Sequence, residues 1–532
     1  MRLGLICLAV SAVVIAGFWV WLGAPIAMPQ TPLAAGEKLY CLSYAPFRDG
    51  QSPFQPDVHI TPQQIDEDMA QLAKITDCVR TYSVELGQDQ VAAIAKRHGL
   101  KVIQGIWIGV HPEKNRAEIE KAVKIINAYP DVVRAVVVGN EVLLRGDLSA
   151  SDLVGLIREV KSRVKVPVTY ADVWEYWLRN RDVAAAADFI TIHILPYWED
   201  FPIAAANAGA HVDSIRRRLV EAFAGKDVII GEVGWPSEGR MREGALPSPA
   251  NQARVVQDVL AYAKRGNYRV NVIEAFDQPW KRALEGTVGG HWGLLDDADR
   301  NQKFVWGEAV SNHRLWRWQA AGGILFATIV FGAAFAARRG ALVEPALWLA
   351  VTANAIVGGV LIGWSIANVP IESLGVAGWL RSLAFVGVAL LTPPAISAAI
   401  VRGTPLPRFS ALIGPAAGRV RDPIARIAGA LMIATMLLAL LSALGLVFDP
   451  RYKDFPFAPM TAAALPFLTH SLVMPRPPGR WSSAEFSGAG LLALSVPYIV
   501  LNESFGNWQS LWLCAAFAAL AFSLARVRGA QS

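Results

Sequence analysis

Apolar runs long enough to cross a bilayer most limit what this chain can fold into. They follow one another at 318–337, 345–367, 376–400, 425–447, 457–474, 486–502 and 508–525. Each reaches or approaches the ~20 residues a helix needs to span a hydrocarbon core. Residues 318–532 hold 14 Lys+Arg and 7 Asp+Glu, whereas the first 317 residues hold 36 and 37. The second part is too poor in charge for a water-soluble fold, and the first is ordinary. The chain therefore reads as a soluble domain joined to an all-α, multi-span transmembrane domain at 318–532. That excludes a cytosolic soluble enzyme, a disordered protein and a disulfide scaffold. The net charge of +6 is no nucleic-acid signature, because the soluble part carries −1 and the membrane part +7, as basic cytoplasmic loops would give.

Residues 1–24 form a further apolar segment, Leu3–Leu22, preceded only by the amino terminus and Arg2. It exceeds the ~7–15 apolar residues of a secretory signal and suits a transmembrane anchor, although small residues at 24–35 would admit cleavage. One set of loops carries Arg2, Arg338, Arg339, Arg402, Arg408, Arg419, Arg421, Arg426, Arg476, Arg480, Arg526 and Arg528. The opposite set carries Arg451 and Lys453, with Arg381 at a helix edge. Basic residues mark the cytoplasmic side. An odd number of tail helices after one anchor then puts both termini inside and residues ~25–317 outside. A bacterial inner membrane with a periplasmic domain is the expected setting, and membrane lipid an expected partner.

Between the membrane segments, short apolar strands alternate with amphipathic helical stretches. The strands are expected at 38–45, 78–83, 101–108, 132–141, 166–173, 188–195, 227–235 and 270–278. Helical patterns fall between them at 61–75, 88–99, 115–129 and 149–164, the first opening on Thr61–Pro62 and the second stopping at Gly99. Near-continuous apolar strands indicate a parallel sheet covered on both faces. Eight such units at 36–312 have the size of a (β/α)8 TIM barrel. A doubly wound sheet is the alternative, but neither GxGxxG nor GxxxxGK[ST] follows the first strand.

Chemistry in such a barrel sits at the carboxyl ends of the strands. Two glutamates stand there: Glu141 closes VVVGNE on strand 4, and Glu232 lies within IIGEVGW on strand 7. Facing carboxylates about 5–5.5 Å apart let one attack a sugar carbon while the other protonates the departing oxygen. A single such glutamate could instead be structural, paired with an arginine such as Arg80. Tyr44, Arg80, Tyr82, Asp172, Trp174, Tyr197, Trp235, Glu274, Trp280 and Lys281 converge on the same end as candidate substrate-binding residues. The Trp residues 174, 177, 198, 235, 280 and 292 suit stacking on sugar faces, with core packing as the plainer role for about half. Glu274 with Lys281 also reads as a structural ion pair, and His193 as a hydrogen-bonded pocket wall. HExxH and CxxC are both absent from the sequence, so no metal and no cofactor is expected. Cys41 and Cys78 could form a disulfide in an exported domain or remain two buried thiols.

Several motifs together resemble glycoside hydrolase family 17: GNE at 139–141, GEVGWPS at 231–237, VRTYS at 79–83 and EAFDQPWK at 274–281. The resemblance spans about residues 36–312. It implies a (β/α)8 barrel acting on β-1,3-glucan as a retaining glucanase or glucanosyltransferase. It further implies Glu141 as general acid/base, Glu232 as nucleophile, Asn140 on the sugar 2-hydroxyl, and Arg80 and Tyr197 orienting Glu232. It is silent on 318–532, where the expectation is docking beside an inner-membrane glucan synthase, against a passive anchor.

Two other readings compete. A membrane glucan synthase would need a nucleotide-sugar site, for which Asp297–Ala298–Asp299 is a DxD-like triplet, but that triplet lies in a polar loop after strand 8 and a synthase domain would face the cytoplasm. A glucan-binding or export module would make the tail the working part. Its polar residues Asn354, Glu372, His470 and Glu503 are sparse for a transport path.

Overall fold

The computed structural model describes residues 2–338, 340, 342–413, 420–475 and 480–529. Arg339, Arg419 and Arg476 of the charge tally lie outside the described residues, as do Met1 and residues 530–532.

The chain divides into two compact units: Ile26–Gly239 with Gly244–Val310, and Met1–Pro25 with Arg240–Glu243 and Ser311–Ser532. The first is a closed parallel barrel in strict sequence order. Its strands are β1 (Cys41–Ser43), β2 (Cys78–Arg80), β3 (Lys101–Ile106), β4 (Val133–Asn140), β5 (Val168–Val173), β6 (Ile190–His193), β7 (Val228–Val233) and β8 (Val270–Val272). All eight fall within the expected apolar runs, and β1 closes on β8 through Cys41 opposite Asn271.

The strands are shorter than the apolar runs because their ends bend out of the ladder into the site. After Val272, for example, Ala275 donates to the Ser43 carbonyl and Phe276 bridges to Leu295. The helices start where their capping residues stand. Thr61 accepts from the Gln64 amide ahead of Pro62–Leu72, and Ser149 accepts from the Asp152 amide ahead of Ala150–Arg163.

The barrel interior is layered. Cys41 and Cys78, joined as a disulfide across β1 and β2, pack with Ile103, Val137 and Ala171. A polar set is buried separately: Asn271 donates to Ser43 Oγ and to the Gly231 carbonyl, and Thr169 meets Thr191 at 3.0 Å. Buried polar groups seek partners, and the Asn271 amide nitrogen and the two threonine hydroxyls of this set find theirs within the barrel. It carries the backbone of Gly231, the residue before Glu232.

The second unit is helical. Seven helices cover the expected apolar runs: Trp316–Ala337, Pro345–Glu372, Gly375–Arg402, Pro423–Phe448, Phe457–Val473, Ser483–Glu503 and Trp508–Arg526. Six of them, and the N-terminal helix Arg2–Leu22, are long and apolar enough to cross a membrane, while Phe457–Val473 is shorter. Small residues let these helices approach. A Cβ on Gly323 would come within 2.2 Å of the Gly359 carbonyl oxygen. Ile15 and Trp19 of the N-terminal helix are fully buried, so that segment packs as part of the bundle. Several polar groups of the bundle find internal partners. Asn354 donates to Ser397 and accepts from Thr469, His470 lies 2.9 Å from the Thr404 carbonyl, and Arg240 pairs with Glu503.

The disulfide closes a 37-residue separation and restrains the unfolded chain. Replacing both Cys41 and Cys78 with Ala should destabilise the barrel by about 2–4 kcal/mol. Thermal unfolding followed by tryptophan fluorescence checks this. A midpoint unmoved relative to the oxidised parent would show that the bond adds no stability.

Candidate active site

The carboxyl ends of β2, β4, β6 and β7 bring six side chains onto one another: Arg80, Tyr82, Asn140, Glu141, His193 and Glu232. Arg80 Nη1 donates to Glu232 Oε1 at 2.8 Å and to the Gly231 carbonyl at 2.9 Å, while its Nη2 donates to Asn140 Oδ1. Tyr82 OH donates to the same Glu232 oxygen at 2.8 Å, and its ring lies under the Arg80 guanidinium. His193, fully buried and paired in register with Glu232, places Nδ1 2.7 Å from Glu141 Oε1 and Nε2 3.6 Å from Glu232 Oε1. One oxygen of each glutamate and one His193 nitrogen lie within 4.8 Å of one another.

Glu232 is buried, and burial pushes its carboxyl pKa up. The neighbouring His193, Arg80 and Lys281 charges and the Tyr82 bond outweigh that and leave it below the ordinary carboxylate value. It is therefore held ionised. Glu141 keeps 23% of its side chain exposed. Its backbone differs from the expected strand end: β4 stops at Asn140, and Glu141 takes a left-handed conformation with φ 54°. Such a φ is uncommon for a residue with a Cβ and must be held by its surroundings. Glu141 N donates to the Ala171 carbonyl, and Arg145 N donates to the Glu141 carbonyl. Gly139 makes the turn possible: its own φ is 84°, and a Cβ there would lie 2.6 Å from Val142 Cγ2.

The other expected residues surround this cluster rather than join it. Asp172 sits beneath the turn after Glu141, where it accepts from Tyr170 OH and the Leu144 amide while Tyr170 OH accepts from the Leu143 amide. Burial raises the Asp172 carboxyl to about 6, the Tyr170 bond opposes the rise, and the Glu141 charge adds to it. Glu274, also buried, is raised to about 7 by burial against the opposing charge and hydrogen bond of Lys281, 2.8 Å away. Tyr44 is fully buried and donates to Asp68. Tyr197 packs its ring against Trp198, Trp235 and Trp292. Trp235 is buried and donates to the Leu246 carbonyl, Trp174 donates to Glu199, and Trp280 donates to Gln278.

Of the six tryptophans expected to be split between core and sugar stacking, Trp177, Trp235 and Trp292 are buried, and Trp174, Trp198 and Trp280 are half-buried. Two aromatic groups lay outside the sequence reading. Trp107, 43% exposed after β3, carries the Arg145 guanidinium 4.4 Å from its centroid. Phe54 is 70% exposed and edges onto Trp280. The signal for His193 was its place at the end of an apolar strand beside the Glu232 strand, but its bridging position needs the register.

Glu141, His193 and Glu232 could together offer ligands to a cation. The Arg80 guanidinium already neutralises Glu232, which disfavours a second positive charge there. A second acidic group, Asp277 with Asp296 and Asp297, has Asp277 committed to Lys303 at 2.7 Å.

A closed barrel with two glutamates meeting at the carboxyl ends of β4 and β7 defines the glycoside hydrolase class of site. Residues 41–293 match the BtgE/BtgC glycoside hydrolase domain. A glucan 1,3-beta-glucosidase of Arthroderma benhamiae is 30% identical over 277 residues, covering 48% of this chain and 86% of that one. The glucan 1,3-beta-glucosidase BGL2 of Candida albicans is 28% identical over 250 residues, covering 42% and 80%. Among solved structures, a glycoside hydrolase family 17 beta-1,3-glucanosyltransferase from Rhizomucor miehei aligns at 30% identity with a TM-score of 0.45, over 52% of this chain and 99% of that one. The chain belongs to the BtgE/BtgC glycoside hydrolase family.

Tyr82→Phe removes one of the bonds that hold Glu232 low while keeping the ring. The Glu232 pKa then rises, so the acid limb of the kcat/KM profile moves to higher pH. A bond to a charged group is worth about 1.5–3 kcal/mol, so the pH-optimal rate should fall about 10–100-fold. A pH–rate profile checks both, and an unshifted acid limb would detach Tyr82 from Glu232.

Proposed function

We propose that the chain acts on β-1,3-glucan by double displacement, with Glu232 as nucleophile and Glu141 as acid/base. The observation that carries this is the close pair of carboxylates, one ionised and pinned by Arg80 and Tyr82, the other partly open to solvent. Their oxygens approach within 4.8 Å. That favours a retaining pair at about 5–5.5 Å over an inverting pair at about 6.5–9.5 Å.

Glu232 attacks the anomeric carbon, the glycosidic C–O bond breaks, and Glu141 gives its proton to the departing oxygen. Glu141 then takes a proton from the acceptor, whose oxygen displaces Glu232. Water as acceptor gives hydrolysis, and a sugar hydroxyl gives transfer. Incubation of the full-length protein with linear β-1,3-gluco-oligosaccharides, read by product mass, separates the two: products longer than the substrate mark transfer. Glu232→Gln should abolish turnover. Glu141→Ala should keep activity on substrates with good leaving groups and be rescued by azide, because proton donation is then unnecessary. Equal loss of Glu141→Ala on activated and natural substrates, with no azide rescue, would sink the acid/base role.

We further propose that the barrel faces the periplasm of a bacterial inner membrane, anchored by the uncleaved N-terminal helix and the helical unit beside a glucan synthase. The asymmetry of basic residues and the disulfide support export. Alkaline-phosphatase fusions after Gly36 or Asn312 should be active and fusions after Arg402 or Arg526 inactive. The reverse pattern would overturn the topology. A synthase or transport role for the helical unit has less support, since Asn354, His470 and Glu503 are bonded internally.

A further inference from the structure

Trp107 is the first residue after β3, so it stands at the carboxyl end of the barrel, where the glutamates also stand. It is 43% exposed. A single exposed apolar side chain is ordinary on a protein surface. What sets this ring apart is how firmly its loop is held.

The Trp107 amide donates at 3.2 Å to Glu118 Oε1, which also accepts from the Val84 amide. Two residues on, Gly109 is clasped by Asn115, whose amide group accepts from the Gly109 N–H and donates to the Gly109 carbonyl. Glu118 and Asn115 both belong to the helix Pro112–Ala128 and are 3% and 5% exposed. Buried polar side chains thus brace a loop whose tryptophan keeps much of its surface in water. Ordering a side chain costs entropy, and here little burial of the ring offsets that cost in the free protein.

One face of the ring is occupied. The Arg145 guanidinium lies 4.4 Å from its centroid and is itself fixed, with Nη2 donating to the Ile108 carbonyl, Nε to Asp147 and Nη1 to the Asn140 carbonyl. A guanidinium on one face leaves the opposite face and the edge to supply the exposure. The last of its bonds ties the ring to the residue before Glu141. A substrate chain extending from Glu141 towards β3 would therefore pass over Trp107.

The chemistry of that open face is selective. A cationic ligand would be repelled by the guanidinium behind the ring, and an anionic one by the ring's own negative face. A β-glucosyl unit is neutral and carries its hydroxyls around its rim, so it offers a flat face of C–H groups to an aromatic ring.

We propose that Trp107, backed by Arg145, is a subsite that binds one glucosyl unit of the substrate beside the reacting bond. This rests on the reading of the barrel as acting on β-1,3-glucan. Steady-state kinetics of the full-length protein on a linear β-1,3-gluco-hexasaccharide test it. Trp107→Ala should raise KM about tenfold, the worth of one good ring-to-ring contact, and leave kcat unchanged, because the contact is lost equally from bound substrate and transition state. Trp107→Phe, which keeps an aromatic face, should lose less. An unchanged KM in Trp107→Ala would overturn the subsite whatever happens to kcat. A fall in kcat as large as the rise in KM would overturn it too, by marking a ring that only props the Glu141 turn. Failure of the parent protein itself to turn over the hexasaccharide would sink the glucan reading, and the subsite with it.

Discussion

The site depends on one buried ion pair. Arg80 and Glu232 keep 1% and 6% of their side chains exposed, and taking both charges out of water costs several kcal/mol each. The cost is offset only because each charge has further partners: Arg80 reaches Gly231 and Asn140, and Glu232 takes Tyr82. Three strands, β2, β4 and β7, must end in register for this to close. The Asn271 amide, which donates to Ser43 and to the Gly231 carbonyl, fixes that carbonyl, and the carbonyl fixes the arginine. Removing one partner of such a pair leaves an uncompensated charge and typically costs about 3–5 kcal/mol. The same bonds that stabilise the barrel mouth therefore hold Glu232 ionised.

His193 ties this pair to Glu141. Its ring spans the gap between the glutamates, so the electrostatics of one carboxylate are felt by the other. The Gly139–Glu141 turn sets the second side of that contact. Its left-handed glutamate is braced by Asp172 and Tyr170 from below, through the amides of Leu143 and Leu144. Asp172 thus acts on the site through backbone position, and Lys281 through charge.

Much of this architecture is legible in the sequence, for definite reasons. The eight strands lie in near-continuous apolar runs and are covered on both faces, and a pattern that simple survives without tertiary knowledge. Arg80, Asn140, Glu141 and Glu232 are visible as charged or amide residues stranded at the ends of such runs. The helical unit is visible from charge depletion alone. Other features depend on register or on contacts distant in sequence. The bond from Tyr82 to Glu232 joins residues 150 apart, and the bridging place of His193 follows from β6 pairing with β7. The left-handed turn at Glu141 reverses a local expectation, since VVVGNE reads as continuous strand and only Gly139 hints otherwise. The sequence is compatible with either a disulfide or two buried thiols, and only the pairing of β1 with β2 brings Cys41 and Cys78 together.

The central claim is that Glu232, ionised by its neighbours, forms a covalent glycosyl ester. The most direct measurement is intact-protein and peptide mass spectrometry after incubation with a 2-deoxy-2-fluoro β-1,3-glucobioside bearing a good leaving group, which slows breakdown of the intermediate. The account predicts an adduct of one fluoroglycosyl group on the peptide containing Glu232. Turnover without any adduct, or an adduct on Glu141 instead, would contradict it.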